Sequence, residues 1–221
     1  MTGLRALSDL SDDELAAAYA PVRTPWLRLN FVHTTDGSAI GADGLSKSIN
    51  NEADGRVFAM LRERCDVIVV GAGTVRAEGY RPNVRPMVVV SRSGELPPTL
   101  RAGDVSRLHL ATAANAPHLE ESRQLLGDRV LVLGQSTPDL PLLRRELIDR
   151  GFQDILCEGG PRLARDLLAA QVVDELCVTT VPRLVAGDGM RITSGAPVDV
   201  ALELGELLES DGTLLARWFV R

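Results

Sequence analysis

Along the 221-residue chain the apolar positions change period several times, and each change predicts an element. From Trp26, apolar Leu27, Leu29 and Phe31 alternate with Arg28 and Asn30 ahead of Val32, the two-residue period of a strand. Val57, Met60 and Leu61 then recur at helical spacing within 51–64. The continuous apolar run 67–70 follows, short and β-branched, as a strand buried on both faces requires. That texture returns at 87–90, 108–111, 130–133, 155–157 and 176–181, with helical segments predicted at 119–126, 140–150 and 163–170. Alternating strands and helices predict an α/β fold, a mostly parallel central sheet with helices on both faces. The end differs: 200–208 and 214–220 are separated only by 209–213, where Asp211-Gly212 signals a tight turn. An antiparallel C-terminal hairpin should close one edge.

Residues 1–24 read as a helical appendage to a main domain of 25–221. Ser11 and Glu14 form a capping box for a short helix over 15–19, which Pro21 and Pro25 end. It should pack on the body or on a second subunit. Composition adds exclusions: 45% hydrophobic and 24% charged residues with net charge −6 fit a soluble globular protein, not a collagen, a disordered tail or a disulfide scaffold. Lys47 is the single lysine among 24 basic residues, which are scattered, so nucleic-acid binding is not expected. Cys65, Cys157 and Cys177 lie far apart with no histidine at ligand spacing, so no metal is expected and a reducing compartment is. No stretch reads as a membrane span or a secretion signal, and the protein is expected to be cytoplasmic.

The candidate chemistry lies in loops that follow buried strands. Gly71-Ala72-Gly73-Thr74-Val75 has the first two glycines of a dinucleotide fingerprint but Arg76 at the third place, so it is either an anion-binding start of a helix or a tight turn. Glu158-Gly159-Gly160-Pro161 precedes a helix from about Arg162; two glycines and a proline leave amides bare for a pyrophosphate. Glu158, at the carboxyl end of a buried strand, stands where open α/β sheets bind ligands; otherwise it should cap amides or pair with Arg162. After strand 87–90 comes Ser91-Arg92-Ser93, where NAD-binding folds place an acid; Ser91 and Arg92 suit the 2′-phosphate of NADP, unless Arg92 is only an exposed loop arginine. Nucleophilic catalysis finds no G-x-S-x-G, His33, His109 and His118 lack a serine partner, and Lys47 sits in a polar loop.

Taken together these residues resemble the pyrimidine reductase family of riboflavin biosynthesis. The resemblance runs through 30–37 with Asp36-Gly37, 46–50, Leu61-Arg62, 71–75, 158–161, and Val173-Asp174-Glu175-Leu176 leading to Pro182-Arg183-Leu184-Val185 and Gly187, nearly the whole chain. It implies a dihydrofolate-reductase-like fold, NADPH as hydride donor, a small pyrimidine substrate and a homodimer. Carried over by position, Val32, Ser48, Thr74, Glu78, Ser91 and the helix start Gly160, Pro161, Arg162 and Leu163 would touch the cofactor. Gly71, Gly73, Arg92 and Gly159 join them from the loops above. Ser46, Arg62, Arg85 and Glu158 would meet the substrate's pyrimidine and phosphate, though Arg62 could equally be surface charge. The implied reaction reduces the ribosyl C1′ of 5-amino-6-(5-phosphoribosylamino)uracil, as its open imine, to the ribitylamine. Asp36 and Glu158 are the catalytic candidates for stabilising the imine's charge or relaying a proton, and Asp36 could instead shape its turn. Departures fall on the substrate side: Ser48 replaces an aromatic residue, Ser38 a lysine, and Glu78-Gly79-Tyr80-Arg81-Pro82 a double aspartate with proline. They keep two alternatives open, a pterin reductase and a non-catalytic NADP-binding paralogue.

Overall fold

A computed structural model describes residues 3–221. In chain order they form β1 (Arg5–Ala6), α1 (Asp12–Ala18), β2 (Trp26–Thr34), α2 (Glu52–Arg64), β3 (Val67–Gly71), α3 (Ala72–Glu78), β4 (Met87–Val90) and α4 (Pro98–Arg101). There follow β5 (Leu108–Thr112), α5 (Leu119–Leu126), β6 (Val130–Val132), α6 (Leu140–Asp149), β7 (Asp154–Cys157), α7 (Pro161–Ala169), β8 (Glu175–Val181), β9 (Leu202–Ser210) and β10 (Thr213–Val220). All ten strands join one sheet in the order β1-β9-β10-β8-β2-β7-β3-β4-β5-β6. From β8 to β6 every neighbour is parallel, and β10 and β9 add the antiparallel hairpin expected at the end of the chain. Its turn residues Asp211 and Gly212 both have positive φ, 48° and 77°, the twist that a two-residue hairpin loop needs. The sequence pattern missed β1 and α4, which are too short to carry a period.

The run Val67–Val70 shows why such strands read as uninterrupted apolar sequence. Val67 and Val69 pack with Leu147, Leu163 and Leu167 of α6 and α7, whereas Ile68 faces Val57 and Leu61 of α2, and Val70 faces Val75 and Leu100. Helices therefore cover both faces, and no position of the strand can be polar without a partner.

Strand order also creates the crevice. From β3 the chain moves outward to β4, and from neighbouring β7 it moves the other way to β8. Right-handed crossovers in opposite directions put α3 and α7 on opposite faces, leaving a cleft between the carboxyl ends of β3 and β7.

Residues 3–24 pack on the body. The Ser11–Glu14 capping box forms, β1 pairs with β9, and Leu7, Leu10, Leu15 and Tyr19 share a core with α2 and Leu215. The last carbonyls of α1 are taken by buried guanidiniums, Arg217 donating to Ala18 and Ala20 at 2.7 Å and Arg28 to Tyr19 at 2.9 Å. Among the described residues no helix is long and apolar enough to cross a membrane.

Candidate active site

A cavity of about 1110 Å³ lies along the carboxyl edge of the parallel strands. Its walls combine Asn30 and Val32 of β2, the start of α3, Ser91–Ser93 after β4, Glu158, and the start of α7. The two glycine loops meet there. The Gly71 N–H donates to the Gly159 carbonyl at 2.7 Å, and the Glu158 N–H to that of Val69 at 3.0 Å. Side chains are excluded at this junction: a Cβ on Gly159, whose φ is +83°, would lie 2.7 Å from the Phe31 ring, and one on Gly160 would lie 2.2 Å from Thr74 Oγ1. A Cβ on Gly73 would meet nothing within 4 Å, so the cavity approaches bare backbone. No side chain caps α7, although the neighbouring α6 is capped by Asp139, which accepts from the Leu142 N–H at 2.8 Å. The first-turn residues of α7, Arg162 and Leu163, line the cavity with their helix-start amides left for another acceptor.

Glu158 is paired, but with neither of the partners expected from the sequence. Arg62 Nε and Nη2 donate to its two oxygens at 2.7 and 2.6 Å, and the Tyr80 hydroxyl donates at 2.7 Å. The reason is strand alternation. Cys157 packs with α7, so Glu158 turns to the α2 and α3 face, away from Arg162. Arg62 also lies over two rings, its Cζ 4.3 Å from the Phe58 ring centroid and 5.5 Å from that of Tyr80. Burial and the Glu158 charge push the Tyr80 phenol well above its usual range, so it stays a donor. Beside this trio opens a smaller cavity of about 300 Å³, whose wall includes Ser46, Lys47, Arg62, Arg81 and Asn83. Glu78 borders both cavities and accepts from the Ser46 N–H at 3.0 Å.

Thirteen expected site residues line the main cavity: Val32, Ser46, Gly71, Gly73, Thr74, Glu78, Ser91, Arg92, Glu158, Gly160, Pro161, Arg162 and Leu163. Gly159 does not line it but accepts from the N–H of Gly71, which does, and Arg62 is joined to it through Glu158. Three others stand elsewhere. The Asp36 carboxylate accepts from the Thr34 hydroxyl and, at 2.7 Å, from the Ala186 N–H; these bonds hold it below its usual pKa and tie two loops together outside the cavity. Ser48 donates to Asp43 at 2.6 Å and lines neither cavity. Arg85 lines neither cavity, although Asn83 and Met87 on either side of it border the smaller one.

Residues 25–215 match the family model described as RibD C-terminal domain. The chain belongs to that family. A relative in Methanothermobacter thermautotrophicus, named 2,5-diamino-6-ribosylamino-4(3H)-pyrimidinone 5′-phosphate reductase, is 32% identical over 187 residues, 79% of this chain and 86% of that protein. A relative of the same name in Archaeoglobus fulgidus is 28% identical over 182 residues, 74% of this chain and 83% of its own. The crystal structure of a pyrimidine reductase-like protein from Corynebacterium diphtheriae superposes with a TM-score of 0.81 at 23% identity, covering 96% of this chain and 99% of that one; this likeness shows the fold.

In this RibD-type chain the sequence reading missed Asp54, Phe58 and Tyr80. Asp54 is the third residue of α2, only 4% exposed, and lines the main cavity. Acids are common in a helix's first turn, which hides it. Its phase was the available signal, because Asp54, Val57 and Leu61 repeat at three and four residues and so share the buried face.

Proposed function

We propose that this chain is an NADPH-dependent reductase of a ribosylaminopyrimidine 5′-phosphate in riboflavin biosynthesis, adding hydride at ribosyl C1′ to give the ribitylamino product. One observation carries the reading: two glycine turns, at Gly71-Ala72-Gly73 and Gly159–Gly160, meet at the switch point of the sheet beside the uncapped start of α7. Bare amides at a helix start suit a pyrophosphate. Thr74 and Leu163 would flank the bridge, while Ser91, Ser93 and Arg92 stand where a 2′-phosphate would lie. When bound, the nicotinamide would supply the hydride; the chain's own part is orientation and charge. The Glu158 carboxylate, fixed by Arg62 and Tyr80, keeps one acceptor position, on Oε1, for a ring N–H or amino donor of a pyrimidine. The phosphate end would extend into the smaller cavity, where among the described residues Lys47 and Arg81 have no carboxylate partner and Arg62 already serves Glu158.

We further read the protein as a cytoplasmic homodimer. The outer hairpin leaves Leu202 and Leu214 41% and 40% exposed, apolar area that a second subunit would cover. The deciding experiment follows NADPH oxidation with the 2,5-diamino pyrimidinone and with 5-amino-6-(5-phosphoribosylamino)uracil, identifying the product by mass. Turnover of either with formation of its ribitylamino product supports the reading. NADPH binding with no turnover of either would leave only the paralogue alternative.

A further inference from the structure

Two carboxyls expected to handle a proton already have partners: Asp36 the Thr34 hydroxyl and loop amides, Glu158 the side chains of Arg62 and Tyr80. Asp54 is different. It is buried on the wall of the same cavity, and no charged partner lies within salt-bridge reach of its carboxyl among the described residues. The elements around it offer neutral groups: β8 presents Thr179, β2 presents Asn30 and Val32, and Asn51 at the start of α2 accepts from the Asp54 N–H at 3.1 Å. Charged groups elsewhere on the wall are Glu158, matched by Arg62, then Arg76 and Glu78 of α3, Arg92, and Arg162 and Asp166 of α7; none contributes to the titration of Asp54. A first-turn position in α2 favours the ionised form by roughly 0.3–1 kcal/mol. Burial outweighs that, pushing the carboxyl above its usual range, and the Thr179 hydroxyl pulls it back only in part.

We propose that Asp54 is the catalytic acid of this cavity, entering the cycle protonated and giving its proton to the nitrogen of the substrate's carbon–nitrogen double bond. The assignment rests on the reading that the chain reduces a ribosylamine through its open imine. In that step C1′ gains the hydride that reduced nicotinamide supplies, and the π pair of the double bond moves to nitrogen. Nitrogen takes the proton from the Asp54 carboxyl, and the resulting carboxylate regains one from water. Buried and uncharged in its waiting form, Asp54 needs no counter-ion, in keeping with the lack of an arginine within salt-bridge reach among the described residues.

The test compares Asp54→Asn and Thr179→Val with the wild-type chain. Asp54→Asn should lower kcat about 100-fold, a typical contribution of one positioned acid, while the NADPH dissociation constant and the near-ultraviolet circular dichroism stay as in wild type. Wild-type kcat should fall as pH rises through the Asp54 pKa, and Asp54→Asn should lose that limb. Thr179→Val removes a hydrogen bond to the ionised form, so the fall should move to higher pH. Carbon-13 NMR of aspartate-labelled, ligand-free protein should show one carboxyl titrating above the ordinary range, and Asp54→Asn should erase it. Turnover retained within about threefold in Asp54→Asn, or a carboxyl resonance at ordinary pKa, overturns the assignment alone. A wild-type chain that binds NADPH yet turns over neither pyrimidine overturns the functional reading beneath it.

Discussion

Two buried carboxylates, one at each end of the sheet, are both gripped by arginine, and their surroundings differ. At the amino end Glu175 accepts from Trp26 Nε1 at 2.6 Å, Arg217 at 2.9 Å and the Cys177 thiol at 3.0 Å, with Arg28 3.6 Å away. Those arginines also close the carbonyl end of α1. Those three hydrogen bonds and the nearby Arg28 guanidinium enclose Glu175 within a core. At the carboxyl end Glu158 has an equally buried side chain, 2% exposed, but its partner Arg62 is 28% exposed and the trio borders two cavities. Burial and pairing therefore do not mark a functional carboxylate. What separates Glu158 from Glu175 is that the carboxylate and its partners border open space.

The largest effect should break the closed cluster. Glu175→Ala leaves Arg28 and Arg217 buried without their shared counter-charge, and removing one partner of such a pair costs about 3–5 kcal/mol. Urea denaturation should show that loss, while kcat/KM per folded molecule stays near wild type because the cavity is at the other end of the strands. A stability loss below about 1 kcal/mol, the worth of a surface pair, would erase the contrast.

The open cluster should respond in the opposite sense. Glu158→Gln keeps the shape and some of the hydrogen bonds but removes charge-assisted ones worth roughly 1.5–3 kcal/mol each, so kcat/KM should fall about 10- to 100-fold. Stability should move little, since Arg62 still reaches water. Steady-state kinetics and a urea curve on the same preparation separate the two quantities. A variant that unfolds easily but keeps its kcat/KM would make Glu158 a second Glu175.

These two clusters also show what the sequence could convey. Alternation and apolar runs carried the sheet, the helices and the hairpin, because a strand covered on both faces has no other way to be written. The glycine loops were legible too, since glycine and proline mark where backbone must come close. Ion-pair partners were not. Glu158 meets Arg62 and Tyr80 across 96 and 78 residues, and only the fold brings them together. Strand parity at Glu158 could have excluded Arg162, which lies on the opposite face. Positions transferred by resemblance depended on local geometry: Arg85 stands between two residues of the smaller cavity's wall without lining it, and Ser48 turned to Asp43.

The rim of the cavity keeps its cations loosely held, which sharpens the contrast with the closed end. Arg92 is 64% exposed and only 3.4 Å from Asp166, a contact that a 2′-phosphate could replace. Arg92→Ala should raise the NADPH dissociation constant about tenfold and leave NADH nearly unchanged, as expected for one charge-assisted contact. Titration with both coenzymes decides it, and equal losses would remove Arg92 from the 2′-phosphate role.

The smallest effect belongs to Lys47 and Arg81, exposed side chains on the small cavity with no carboxylate within 4.0 Å among the described residues. A flexible, hydrated cation contributes modestly, so Lys47→Ala and Arg81→Ala should each raise KM about fivefold for the phosphorylated pyrimidine, close to 1 kcal/mol. The same variants should leave KM for the dephosphorylated nucleoside as it is in wild type, because that molecule presents no anion there. A loss shared by both substrates would move the phosphate out of the small cavity. It would also mean that the loose cations of the rim stabilise the loop around Ser46, and the open end would then resemble the closed one more than its geometry implies.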